Sequence, residues 1–335
     1  MRLHSDHLLA ISFKAQSPHI DIISPLDIKA FPLRPTILIA AILFFFVPAG
    51  HNILHYRLAK ELLNTGHIVF FALVALETFR YFDKAGKSRR FSSLICLCLI
   101  AGGAIGIELG QLLVSGREFQ IRDLLYGLAG GIAALLFKGA PQQHIVAGFV
   151  MRAMSVLLIA GCLFPLSSII ADEIKMHRDF PLLSGFEGST ELTRWGGVDT
   201  MSRVSHPVAQ GSYSARIALN TKQFSGIMLD YFPGNWQEAE ELSFKIFNPG
   251  LPMNIHYRIH DAQHSGENQR FNNRYNNTTI LQTGWNLVRT PLADIEQAPV
   301  DRQMDLGRIR GLGIFVSREP ENRVIYLDDV RLIMD

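Results

Sequence analysis

Apolar residues run in long unbroken stretches as far as about residue 172 and in short alternating stretches beyond it, so the chain divides into two halves built for different solvents. A helix crossing a bilayer needs roughly 20 mostly apolar residues, because backbone polar groups cannot be left unsatisfied in hydrocarbon. Gly66–Phe82, Phe91–Val114 and Ile145–Ala171 meet that length, although they carry Glu77, Glu108 and Arg152. Pro35–Gly50 is shorter and extends towards Leu54, and Leu124–Phe137 has a length that also suits a re-entrant segment. These runs predict an α-helical membrane bundle of about five transmembrane helices over residues 35–171, behind an N-terminal segment of residues 1–34. The first run starts only near Pro35, after a polar stretch with Lys14 and Lys29, so it reads as a retained anchor rather than a cleaved signal.

The charged stretch Asp172–Asp179 is expected to be a linker to a second domain, residues 180–335. There, period-two alternation recurs in Ser214–Asn220, Gly226–Phe232, Leu242–Phe247, Asn254–His260, Asn286–Thr290, Gly311–Val316 and Val324–Ile333. Turn signals such as Pro233-Gly234-Asn235 and Asn248-Pro249-Gly250 separate the runs, and no long helical pattern interrupts them. An all-β jelly-roll sandwich follows.

Composition agrees with this division. Of 335 residues, 48% are hydrophobic and only 19% charged, more apolar than a soluble chain of this size needs. A net charge of +2, with no zinc finger, P-loop or basic recognition helix, excludes nucleic acid as the partner. Cys96, Cys98 and Cys162 all lie inside apolar runs, so neither a disulfide framework nor a cysteine metal site is expected.

Basic residues orient the bundle. Arg2, Lys14, Lys29 and Arg34 precede the first run, and Lys84, Lys87, Arg89 and Arg90 lie between the second and third, which puts both segments in the cytoplasm. Five spans then place the second domain outside the cytoplasmic membrane; if Leu124–Phe137 does not cross, that domain is inside. With five spans, His67, Glu108, Gln111, Arg117 and Asp123 gather near the outer surface. Glu108 and Gln111 are three apart and share a helix face, and Arg117 is able to bridge Glu108 and Asp123. Each also has a structural reading: Asp123 as a helix cap, Arg117 as a headgroup anchor, His67 as an interfacial residue.

The strings Asn64-Thr65-Gly66-His67, Ile107-Glu108-Leu109-Gly110-Gln111, Gly116-Arg117 and Asp123-Leu124-Leu125, leading to Gly130-Gly131, resemble the VanZ-like membrane family over about residues 65–138. The resemblance implies a small helical membrane domain whose recurring polar residues match His67, Glu108, Gln111, Arg117 and Asp123. It departs at Gly127, where the family usually has Asn. It supplies a domain and not a reaction.

The second half resembles the galactose-binding-like jelly rolls, a group that includes many carbohydrate-binding modules. The residues concerned are Gly185-Phe186-Glu187-Gly188, Gly211-Ser212-Tyr213-Ser214, Leu242 to Pro249, Gly284-Trp285-Asn286 and Tyr326-Leu327-Asp328-Asp329-Val330. The resemblance implies a structural Ca2+ held by Glu187 and Asp328. Alternation puts Tyr326, Asp328, Val330 and Leu332 on one strand face, where a carboxylate needs a partner: calcium, an Arg or backbone N–H groups.

Sugar recognition uses aromatic faces and planar polar groups, for which Trp195, Tyr231, Trp236, Tyr257, Tyr275 and Trp285 are candidates, Trp285 reading best as core. The stretch from His260 to Asn277 is dense in amides, Arg and aromatics, and with Arg258 it offers Arg258, His260, Arg270, Asn272, Arg274 and Tyr275 as glycan contacts, with Trp236 beside them. A solvated outer strand face would carry the same residue types. Arginines favour anionic sugars. Neither a carboxylate dyad nor a nucleophile motif is present, so the chain reads as a binding protein rather than an enzyme. The expected role is to bind or tether polysaccharide or peptidoglycan-related glycan from the bilayer. The alternatives are a membrane enzyme or transporter acting on a lipid-linked precursor through the polar cluster, or an assembly scaffold.

Overall fold

The computed structural model describes residues 57–113, 119–141, 144–197, 201–265 and 269–334. The expected first span, Pro35–Gly50, and Arg117 lie outside the described residues.

Four long helices come first: α1 (Arg57–Lys84), α2 (Arg89–Gln111), α3 (Ile121–Gly139) and α4 (Ile145–Asp179). Among the described residues, α1, α2 and α4 are long and apolar enough to cross a membrane. Their outward side chains are apolar: Phe149, Leu157 and Phe164 of α4 are 71%, 70% and 69% exposed, a surface that calls for hydrocarbon rather than water. Inside, Phe71, Phe79, Cys96, Ile100 and Ala104 form the helix core.

Glycines set the helix spacing. A Cβ on Gly130 would lie 2.1 Å from the Ile68 carbonyl oxygen, and one on Gly131 would lie 2.5 Å from Ile100 Cδ1, so α3 touches the backbone of α1. Gly127 faces Phe71, whose ring would be 2.7 Å from an added Cβ, which explains why no Asn side chain stands there. The Ser155 hydroxyl donates to the Ala133 carbonyl at 2.7 Å and ties α4 to α3. Contacts between Arg57 and Asp172, Glu61 and Arg122, and His67 and Glu108 bring the start of α1, the end of α2, the start of α3 and the end of α4 to one end of the bundle. The weakest expected span, Leu124–Phe137, therefore sits in a helix that runs from that end towards the other.

The expected linker is instead the last two turns of α4, which continues to Asp179. Asp172 is buried, and Lys175 pairs with Asp179 one turn on at 2.8 Å, so this charged stretch is held as helix.

The remainder is an antiparallel sandwich. Its strands are β1 (Leu182–Ser184), β2 (Trp195–Gly197), β3 (Met201–Val204), β4 (Ser214–Leu219), β5 (Phe224–Leu229), β6 (Ala239–Asn248), β7 (Met253–Asp261), β8 (Tyr275–Leu281), β9 (Gly284–Pro291), β10 (Ile309–Ser317) and β11 (Arg323–Met334). One sheet has the order β3-β4-β11-β6-β9 with β1 also on β11; the other has the order β2-β5-β10-β7-β8. All seven expected strands are present; β1, β2, β3 and β8 were not expected. Alternate residues of the facing strands, such as Phe244, Ile246, Ile255, Ile259, Ile314 and Leu327, fill the space between the sheets.

Strict alternation fails in β11. The ladder to β6 shifts between Asp328 and Arg331, and Asp329 has φ +54°, so the chain bulges there. Leu327, Val330 and Leu332 face the core, whereas Tyr326 points outward beside Phe247, with ring centroids 6.0 Å apart. Trp285 is likewise not core: it is 39% exposed on the outer face, with its ring 5.4 Å from Phe247.

Candidate glycan groove and buried polar cap

The outer face of the β2-β5-β10-β7-β8 sheet carries a groove of about 900 Å³. Alternation along β10 sends Leu312, Ile314 and Val316 inward and Gly311, Gly313, Phe315 and Ser317 outward. Of these two outward glycines of β10, Gly311 is covered by His260, and Gly313, which lines the groove, lowers the floor. Gly226 of β5, opposite Phe315, adds a third, since a Cβ there would meet the Ile314 carbonyl at 2.2 Å.

On β7 the same alternation presents His256, Arg258 and His260. Arg258 lies against Gly313, where an added Cβ would be 3.0 Å from its Nε, and its guanidinium is 5.6 Å from the Phe315 ring centroid. Its Nε is buried without a hydrogen-bond partner among the described residues. His256 stacks on Phe315 at 5.4 Å and contacts Thr278 Oγ1 at 2.8 Å and Ser317 Oγ at 3.2 Å. From β8 and the turn before it, Arg274 Nε donates to Asn276 Oδ1 at 2.9 Å, and its guanidinium sits 5.7 Å from the Phe271 ring. The groove thus combines aromatic faces with forked donors, the pairing that holds a sugar ring by its C–H surface and its oxygens.

Of the seven glycan candidates, Arg258 and Arg274 line the groove. His260 shares the outer face beyond Arg258, packed over Gly311 with its ring 5.2 Å from His264. Burial, together with His264, Arg258 and Arg274 nearby, pushes its pKa down to about 4. Arg270 and Asn272 are exposed on the connection between β7 and β8, away from the groove lining. Tyr275 and Trp236 are core residues. Tyr275 pairs with Ile259 on the inward side of β7, with its hydroxyl accepting from Asn277 Nδ2 at 2.8 Å; burial and the neighbouring Tyr257 push its pKa up to about 12. Trp236 is fully buried against Phe232, and its indole donates to the Pro233 carbonyl at 3.0 Å. Phe315, Phe271 and His256 were missed, although the outward series Gly311, Gly313, Phe315, Ser317 can be read from the strand's period.

The other aromatic candidates are also elsewhere. Trp195 and Tyr257 are buried in the core, and Tyr231 lies under Arg57, whose guanidinium is 5.6 Å from its ring.

Glu187 and Asp328 reach one loop. Glu187 Oε1 accepts the N–H groups of Ser212 and Tyr213 at 2.8 and 3.1 Å. Asp328 Oδ2 accepts those of Ala209 and Gln210 at 2.7 and 3.0 Å, and its Oδ1 accepts the Asp329 N–H at 2.7 Å. N–H donors satisfy a carboxylate by themselves and have the wrong polarity for a cation's oxygen shell. As they stand, the two carboxylates hold a loop through its N–H groups.

The bundle's polar cap is assembled largely as expected. His67, Glu108, Gln111 and Asp123 are all buried at one end. His67 Nε2 is 3.8 Å from Glu108 Oε1, and Glu108 Oε2 accepts the Gln120 N–H at 3.0 Å. Next to this cap stand three ion pairs that the sequence pattern does not mark: Arg122 to Glu61 at 2.5 Å, and Arg57 and Arg194 both on Asp172, at 2.5 and 2.9 Å.

No protein-family model matches the chain, and no curated protein matches it in sequence. Among solved structures, the sandwich is similar to a family 11 carbohydrate-binding module from Clostridium thermocellum in complex with a β-1,3-1,4-mixed-linked tetrasaccharide, at 16% identity and TM-score 0.36 over 46% of this chain and 94% of that one. It is similar also to a xylan-binding domain of family 22, at 13% identity and TM-score 0.32 over 47% of this chain and 96% of that one.

Proposed function

We propose that the chain is a multi-pass protein of the cytoplasmic membrane that displays its sandwich outside and uses the groove to bind or tether envelope glycan. The carrying observation is the groove itself, in which Arg258 and Arg274 flank Phe315 and Phe271 over a floor that includes Gly226 and Gly313. Two arginines on one wall favour a polysaccharide bearing carboxylate or phosphate groups, including peptidoglycan-linked polymers. The bundle's charge supports the orientation. At the end remote from the sandwich, Lys84, Lys87, Arg89, Arg90 and Lys138 are exposed, whereas at the near end Arg57 and Arg122 are matched by Asp172 and Glu61 and, among the described residues, Lys60 is the exposed lysine. With an anchor at residues 35–50, five spans put the N-terminus in the cytoplasm, and the bundle takes a VanZ-like role as platform.

The test is retention of the full chain, in lipid nanodiscs, on insoluble cell-wall preparations with and without their anionic polymers. Retention that depends on those polymers and falls about tenfold or more in Arg258→Ala and Phe315→Ala is expected. Equal retention of wild type and both variants would overturn the reading. Impermeant labelling of a cysteine introduced at Asn276 in intact cells tests the sidedness separately.

A further inference from the structure

His67, Glu108 and Asp123 come from three different helices, are buried at 4%, 1% and 2% exposure, and bring one ligand atom each to within 4.8 Å of the others. Three ligand atoms at about 2.0–2.2 Å around one tetrahedral ion stand about 3.3–3.6 Å apart, so side-chain movements on the order of 1 Å close the set. The helix packing fixes this meeting point: α3 is drawn onto α1 where Gly130 abuts the Ile68 carbonyl, the residue after His67.

Each of the three also has an orienting contact from outside the set. His67 Nδ1 faces the Asn64 carbonyl at 3.3 Å, so Nδ1 carries the proton and Nε2 turns its lone pair towards Glu108 Oε1. Glu108 is held through its second oxygen by the Gln120 N–H. The Asn64 side-chain amide, with its nitrogen towards α3, donates to Asp123 Oδ1 at 3.3 Å and to the Lys60 carbonyl at 3.2 Å. Metal-binding imidazoles are typically oriented by a hydrogen bond from the other ring nitrogen to a carbonyl or carboxylate, and ligating carboxylates are steadied in the same way.

We infer that His67, Glu108 and Asp123 form a binding site for a divalent first-row transition ion at the sandwich end of the bundle. One imidazole nitrogen and two carboxylate oxygens match Zn2+ or Mn2+ rather than the all-oxygen shells of Ca2+ and Mg2+. Among the described residues three side chains supply ligands, the number that catalytic rather than closed structural zinc sites take from the protein. The site does not depend on the groove binding glycan.

The experiment uses the full chain purified in detergent without chelator, stripped with EDTA and reloaded with Zn2+, the bound metal being counted by mass spectrometry. About one ion per chain is expected, falling tenfold or more in Glu108→Gln and Asp123→Asn. Co2+ reloaded into the wild type should show visible d–d absorption, a readout that survives if the variants fold poorly. No uptake and no Co2+ spectrum in the wild type would overturn the site and leave the three side chains as an ion-paired cap. Uptake equal in Glu108→Gln would overturn it by assigning the ion to histidines of the sandwich.

Discussion

Arg194 grips Asp172 with both arms of its guanidinium, Nε 2.9 Å from Oδ2 and an Nη 2.9 Å from Oδ1. Asp172 belongs to the bundle's last helix and Arg194 to the turn before β2, so this pair joins the two halves. Arg57 of α1 binds the same carboxylate, and Thr190 donates to it at 2.9 Å. Asp172→Ala would leave the buried Arg194 without its counter-charge and Arg57 with only Glu173 at 3.4 Å, a loss of about 3–5 kcal/mol by the usual cost of breaking such a set. The expected result is faster proteolytic cleavage between residues 172 and 182 with the sandwich fragment surviving. An uncleaved, equally stable variant would show that the halves are held by other contacts.

Gly313→Ala and Gly226→Ala should part company. The Cβ at Gly313 meets Arg258 Nε at 3.0 Å and Cγ at 3.1 Å, atoms of a flexible side chain that is able to swing away. Stability should then change by under about 1 kcal/mol while retention on wall glycan weakens. At Gly226 the obstacle is backbone, the Ile314 oxygen at 2.2 Å, so a cost of about 1–3 kcal/mol is expected in thermal melts. Equal melting of the two variants would contradict this account of the groove floor.

The neutral state of His260 predicts a pH dependence. Its pKa is pushed from 6.5 down to about 4, so between these values the unfolded chain binds a proton that the folded chain refuses. Stability therefore falls as pH drops through this window, by up to about 1.4 kcal/mol per unit. Asp261 and Glu191 add slope of the same sign, since their pKa values are lowered: burial opposes this, but Arg302 and Lys175 respectively outweigh it. The informative quantity is thus the difference from His260→Gln in denaturant midpoints at pH 7 and pH 5. The wild type should lose more stability than the variant; parallel losses would mean that His260 titrates normally.

Because the loop 209–213 is fastened by N–H groups to Glu187 and Asp328, chelators should leave the sandwich's melting temperature unchanged. An ion present at about 100 times its dissociation constant would add about 2.7 kcal/mol, which is easily seen as a rise on adding Ca2+. Such a rise, abolished by Asp328→Asn, would restore calcium to these two carboxylates.

What could be read beforehand follows from how strongly each segment repeats. Strands such as Leu242–Phe247, with core residues at every second position, declared themselves, and so did the polar residues brought to one end of the bundle. Strand β8 did not, because Asn276, Asn277 and Thr278 break the apolar alternation at the sandwich edge. One extra residue at Asp328-Asp329 reverses the phase of β11, which is why Tyr326 was assigned to the wrong face. Trp236 and Tyr275 failed as glycan contacts for a related reason: each has a partner for its polar atom inside the fold, which composition does not reveal. The bidentate joint at Asp172 joins the charged stretch expected to be a linker to an arginine 22 residues further on, a pairing that no local pattern marks.

The uninterrupted run of α4 into the sandwich sets a height. Thirty-five residues make a helix about 52 Å long, and a bilayer crossing of the kind proposed above would take up about 30 Å of it. With its upper end bolted to β1 and the turn before β2 rather than trailing a leash, the sandwich has no radius to sweep. In the proposed orientation, a polymer anchored far out in the wall would stay beyond its reach, whereas one attached to a lipid carrier at the membrane surface would lie within it.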